Sequence, residues 1–117
     1  MLGLVPTLLT HHLARVYEYG IRSKYARDSW KSFDLEDARE LIHAAMRHQD
    51  EYRDGVLVSQ EGLPSLMQAI WNLTTIHWHE YHRNLEYRNA CDAGMAQFNT
   101  PVVPSEMVDK TKLGGIM

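Results

Sequence analysis

Residues 34–54 read Asp-Leu-Glu-Asp-Ala-Arg-Glu-Leu-Ile-His-Ala-Ala-Met-Arg-His-Gln-Asp-Glu-Tyr-Arg-Asp, and the spacing of their apolar members leaves little choice of conformation. Leu35, Ala38, Leu41, Ile42, Ala45, Met46 and Tyr52 recur three and four residues apart, which lines one face of an α-helix. Asp34 is suited to cap its start, and the carboxylate of Asp37 at the third helical position favours the positive end of the helix dipole. Gly55 follows directly, as the residue that takes a left-handed conformation after a helix. About twenty residues at 1.5 Å each make a rod of roughly 30 Å.

The chemistry on this rod exceeds what packing alone requires. His48 falls on the line Leu41–Ala45–His48–Tyr52, at or beside the buried face, with Glu51 one turn on. His43 and Arg47 are an i, i+4 pair on the adjacent face, just after Glu40. A packed helix with a hydrogen-bonded core histidine and a solvated acidic side has the same pattern, so the helix alone leaves both readings open.

On either side the chain is helical as well. Pro6 at an early helical position, then Leu9, Leu13, Val16 and Gly20, predict a first helix over residues 6–19, with Gly20 ending or kinking it. Adjacent His11 and His12 point to different faces and make a poor chelate. Residues 19–31 are basic and aromatic without a long apolar period. They read either as an aromatic-anchored connector with Tyr25 and Trp30 tucked in, or as a nucleotide lid with Lys24 and Arg27 on phosphates.

After Gly55 a short loop reaches Gly62, and Pro64 suits the first turn of the longest helix. Leu66, Met67, Ile70, Leu73, Thr74, His77, Trp78, Tyr81 and Leu85 form its apolar stripe, to about Tyr87. Within it His79 and His82, with Glu86 four residues on, have a spacing that can hold zinc, but the stricter His-Glu-x-x-His pattern is absent. Polar surface histidines are the plainer expectation. From Cys91 the periodicity fades into a tail punctuated by Gly94, Pro101, Pro104, Gly114 and Gly115, whose Phe98, Val102, Val103 and Met107 suggest partial packing, on a neighbouring subunit for instance.

Composition narrows the function classes. The net charge of −3 is the sum of +3 over residues 1–33, −5 over 34–62, zero over 63–90 and −1 over 91–117. No basic stripe is present for tracking nucleic-acid phosphates, so stable nucleic-acid binding is not expected. A cationic segment beside an anionic helix suits a phosphate next to a divalent cation, and equally suits ordinary salt pairing. One cysteine among 117 residues excludes an intrachain disulfide framework and fits a reducing compartment. No apolar run approaches membrane-spanning length, and the opening residues lack a basic segment and break at Pro6, so the expected location is cytoplasmic. The expected fold is all-α: a small bundle of about three main helices over residues 1–90 with an extended, irregular tail over 91–117. So few helices make a thin layer that a second copy would complete, and a homodimer or homotetramer is expected.

Three fragments, in this order, carry a resemblance. The first is Leu4-Val5-Pro6, then Ala14-Arg15-Val16-Tyr17-Glu18-Tyr19-Gly20, then Lys24-Tyr25-Ala26-Arg27-Asp28-Ser29-Trp30. The second is Ala44-Ala45-Met46-Arg47-His48 running into Asp54-Gly55. The third is Gly62-Leu63-Pro64, followed by a helix with Ala69, Trp71 and Asn72. Spanning about residues 4–85, they resemble the phage-associated dATP/dGTP diphosphohydrolase family, akin to the all-α MazG-like pyrophosphohydrolases. The resemblance implies a phage-encoded, oligomeric helical enzyme that cleaves a purine deoxynucleoside triphosphate to monophosphate and pyrophosphate with Mg²⁺ or Mn²⁺. Lys24, Tyr25, Trp30, Arg47, His48 and Asn72 match the family pattern. With Arg27, the residues at 24, 25, 30, 47 and 72 would bind substrate, the cations offsetting charge on the departing pyrophosphate.

The chain departs from that pattern where a metal would be fed. Val56 replaces an expected Glu, and Gln60-Glu61 displaces an acid by one position. Ser65 and Gln68 replace histidines, and His43 replaces an Asp. His48, Glu51, Glu61 and His43 could re-form a metal site, with Glu51 and Glu61 catalytic, and Asp54 is a further donor nearby. A non-catalytic nucleotide-binding or scaffold protein that keeps the family fold is the alternative.

Overall fold

Asp34 stands in an extended conformation, and its Oδ1 accepts from the backbone N–H of Asp37 at 2.7 Å. That cap opens the central rod, Leu35–Arg53, as expected from the sequence. Its far end closes in a Schellman arrangement: Gly55 N–H donates to Tyr52 O at 3.1 Å and Val56 N–H to Glu51 O at 2.8 Å. The arrangement requires positive φ at Gly55, which has +95°.

The computed structural model describes residues 2–23 and 29–99, with side-chain surroundings for 3–20 and 29–97. In chain order it has a 3-10 turn Leu2–Leu4, α1 Thr7–Ser23, a 3-10 turn Ser29–Ser32, α2 Leu35–Arg53, α3 Ser65–Arg83, α4 Leu85–Met95 and a 3-10 turn Ala96–Asn99. The fold is all-α; the one β pairing among the described residues is an isolated bridge between Val58 and Pro64. Backbone proximity divides the chain into Met1–Asn84 and Leu85–Met117. No described helix is long and apolar enough to cross a membrane.

Two helix ends differ from expectation. α1 passes through Gly20 to Ser23, because one interior glycine costs only about 1 kcal/mol against alanine. α3 stops at Arg83, short of Tyr87. Asn84 is extended and closes the helix, its backbone N–H still donating to Glu80 O at 2.9 Å and its side chain to Glu80 Oε1 at 3.1 Å. α4 then carries helix past Cys91 to Met95, and Val102, Val103 and Met107 of the tail lie outside the described residues.

α3 organises the first unit. α2 lies along it and α1 packs on it, while α1 and α2 make little close approach to each other. Val16, Leu63 and Met67 form the buried cluster, with Leu13, Tyr19 and Trp71 against it. Tyr17 ties α1 to α3 through its hydroxyl, 3.3 Å from Thr74 Oγ1, and through an edge contact with Trp71. Arg39 of α2 reaches Glu80 of α3 with two 2.9 Å hydrogen bonds.

The expected apolar stripe of α3 is only partly inside. Met67 is buried, but Leu66, Ile70 and Leu73 are exposed, as are Ile42 and Met46 of α2. What α3 buries instead includes Ser65, Asn72, Thr75 and His79. Spacings of seven, three and four residues put these four on one face. Fully buried Ala38 and Ala45 on α2 let the two helices come close.

Candidate functional site

A cleft of about 210 Å³ opens among α1, α2, α3 and the loop between α2 and α3. Val16, Tyr19 and Gly20 line it from α1, and Leu41, Ala44, Arg47 and His48 from α2. The loop adds Glu61 and Leu63, and α3 adds Gln68, Trp71 and Asn72. Its walls mix apolar and polar surface, and its charged, imidazole and amide side chains come from α2, the loop and α3.

Helical geometry explains which side chains arrive. Leu41, Ala44 and His48, three and four residues apart, share the side of α2 that the cleft occupies. His43 is five positions from His48, so at about 100° per residue the two point roughly 140° apart. His43 is therefore turned to solvent, with Nε2 3.5 Å from Glu40. Glu51, one turn beyond His48, brings Oε2 to 3.2 Å from His48 Nδ1, while its Oε1 lies 3.6 Å from Arg47 Nε. The His48 side chain is 13% exposed.

Glu61 is presented by a short turn. Ser59 N–H donates to Leu63 O at 2.9 Å, Gly62 N–H donates to Ser59 O at 3.0 Å, and Gly62 takes φ +85°. Two of the positions where the chain departs from its resembled family fasten this loop. Buried Ser65 donates its hydroxyl to Val56 O at 2.8 Å, and Gln68 Nε2 donates to Leu63 O at 3.1 Å. These side chains are therefore engaged on backbone.

Of the residues singled out in the sequence, the cleft gathers Arg47, His48, Glu61 and Asn72, with Glu51 behind His48. Lys24, Tyr25 and Arg27 lie outside the described residues. Trp30 does not line the cleft. It sits among Tyr17 at 5.5 Å, Trp78 at 5.1 Å and His79 at 6.4 Å, which is an anchoring position.

His79 is the largest departure from the sequence reading, which favoured a surface residue. It is fully buried, its Nε2 donates to Trp30 O at 2.8 Å, and its ring lies nearly parallel to Phe33. Arg83, one turn on, donates to the carbonyls of Phe33 and Lys31. α3 thus holds three backbone carbonyls of the turn that precedes α2. Nothing in the local pattern marked His79 as internal, since its neighbours His77 and His82 are exposed.

A divalent ion of the Mg²⁺ type takes several hard oxygen donors in one convergent set. Among the described residues, no group of three or more His, Cys, Asp or Glu side chains is placed to hold a metal. His48 and Glu51 engage each other, Glu61 shares their cleft without completing a set, and His43 points away. The described residues do not by themselves fit a preformed metal centre.

A family model described as dATP/dGTP diphosphohydrolase, N-terminal, matches residues 1–89, a span that contains every residue of the cleft. No curated protein and no solved structure matches the chain.

Proposed function

Since the chain belongs to the dATP/dGTP diphosphohydrolase N-terminal family, we propose that its cleft binds a purine deoxynucleoside triphosphate and that the chain hydrolyses it to monophosphate and pyrophosphate. The observation that carries this reading is the convergence of Arg47, His48, Glu61 and Asn72 on one partly apolar cleft inside the family-matched segment. Val16, Tyr19, Leu41, Leu63 and Trp71 suit a flat heterocycle, and the Arg47 guanidinium suits phosphate oxygens. At about 210 Å³ the cleft is below the ~300–1,000 Å³ typical of whole-ligand pockets, so it takes the base or the phosphates, and the rest of the nucleotide lies along its rim. Mg²⁺ or Mn²⁺ enters the proposal as counterion of the triphosphate, since the described side chains do not complete a ligand set of their own. The outward apolar residues of α2 and α3 support a homo-oligomer as the working form.

The test is direct. The protein is mixed with each of the four deoxynucleoside triphosphates and Mg²⁺ or Mn²⁺, and pyrophosphate and monophosphate are assayed. Release from dATP or dGTP is the expected result, and no release from any of the four ends the enzyme reading. A second reading, nucleotide binding without turnover, draws on Ser65 and Gln68 being engaged with loop backbone. It predicts calorimetric binding of dATP or dGTP with no product, and turnover that His48→Ala abolishes would exclude it.

A further inference from the structure

Asn72, Thr75 and His79, three and four residues apart, form a row along the buried face of α3. Asn72 is 4% exposed, and the other two are fully buried. Asn72 Oδ1, Thr75 Oγ1 and His79 Nδ1 are each shut off from solvent with no hydrogen-bond partner among the described residues. His79 Nε2 already donates to Trp30 O, which leaves Nδ1 as an acceptor. The row thus holds two acceptors with one hydroxyl between them. The acceptors cannot satisfy each other, and the hydroxyl has a single hydrogen to give. Helical neighbours at this spacing stand about 5–6 Å apart at Cβ. Two hydrogen bonds of about 2.8 Å through one shared oxygen span such a gap. The facing helix offers nothing instead. The Arg39–Glu80 pair sets Ala38 and His79, their chain neighbours, near one level of the antiparallel hairpin. Ala45 lies seven residues after Ala38, as Asn72 lies seven before His79, so it falls near Asn72. Both alanines are fully buried, and a methyl group neither donates nor accepts. Buried polar groups in folded proteins are paired, with ordered water where protein atoms do not serve.

We propose that the seam between α2 and α3 is a binding site for internal water, centred on Thr75. One water accepts from the Thr75 hydroxyl and donates to His79 Nδ1. A second donates both to Thr75 Oγ1 and to Asn72 Oδ1. Every atom of the row is then paired. Water is the occupant this chemistry selects, because it is small, neutral and brings two hydrogens to a site rich in acceptors. Asn72 also lines the cleft, so the row starts at the cleft wall and runs inward to the histidine that holds Trp30. The water is a structural part of the hairpin: it lets α3 bury polar side chains while Leu66, Ile70 and Leu73 stay outside. The site stands whether or not the cleft turns over a nucleotide.

The experiment compares the 117-residue chain with its Thr75→Val variant. Valine keeps the shape of threonine and removes only the hydroxyl. Urea titrations and the magnetic relaxation dispersion of water ¹⁷O, which counts long-lived internal water molecules, are measured on both. The sign of the stability change discriminates. A hydroxyl anchored by water is lost at a cost, so the urea midpoint of the variant should fall, and its count of long-lived water should drop by about one or two, the molecules Thr75 holds. A buried hydroxyl with no partner is better replaced by a methyl group, so a variant as stable as wild type, or more stable, overturns the proposal. So does a lowered midpoint with an unchanged water count, because the hydroxyl would then serve a protein group. Should the valine variant not fold, the wild-type protein decides alone. A nuclear Overhauser effect from long-lived water to the Hε1 proton of the His79 ring, next to Nδ1, is the expected result, and its absence removes the site.

Discussion

Glu80 accepts two hydrogen bonds from Arg39, and these hold its carboxyl below the usual glutamate range, assisted by Asn84 and by the guanidinium charge, while burial opposes the shift. The same contact raises the pKa of Arg39. A carboxyl with a lowered folded-state pKa contributes stability that is fully present above the unfolded value, about 4.3 for Glu, and is lost as pH falls through the folded value. The stability gap between wild type and Glu80→Gln in urea titrations should therefore stay constant from neutral pH down to about 5 and shrink below about 4.3. High salt should also narrow it, since Arg39 is half exposed. At His79 the effect is steric as well as polar. Truncation to alanine empties a fully buried site and orphans the Trp30 carbonyl, so a loss of about 3–5 kcal/mol is expected in the same titration. The sequence favoured a surface position because apolar periodicity does not register a histidine that is internal through one hydrogen bond and three aromatic neighbours.

Helix ends that depend on local chemistry were legible. Asp34, Asp37 and Gly55 act within a few residues of themselves, and α2 begins and ends where they indicate. Because the φ of Gly55 is +95° and a Cβ there would meet nothing within 4 Å, Gly55→Ala carries a backbone cost alone. About 1–2 kcal/mol of thermal stability should be lost. Which face of α3 turns inward was not legible, because Ser65, Asn72, Thr75 and His79 are internal while Leu66, Ile70 and Leu73 are exposed. Burial there follows the close approach of Ala38 and Ala45 across from α3, a tertiary fact that no single-helix pattern contains. The cleft was half legible. The sequence placed Glu51 one turn beyond His48 without indicating that the two side chains engage each other, and whether His43 or Glu61 lay beside them depended on helix phase and on the turn around Gly62.

At the scale of the whole molecule, Ile42 and Met46 of α2 and Leu66, Ile70 and Leu73 of α3 each leave apolar surface facing water. If a second copy covers it, light scattering should give at least twice the chain mass of 13.6 kDa. Leu73→Lys should then shift the protein to monomer while its helical circular dichroism is retained. A different consequence follows from α3 lying against both α1 and α2, which scarcely meet. Amide protons of α3 should exchange with deuterium only when the entire unit opens, because both neighbours must let go. Those of α1, held from one side, should exchange through a lesser opening that leaves the α2–α3 hairpin intact. Since α1 supplies one wall of the cleft, that lesser opening also widens the entrance, and the slow-exchange map of the protein would double as a map of how its ligand gets in.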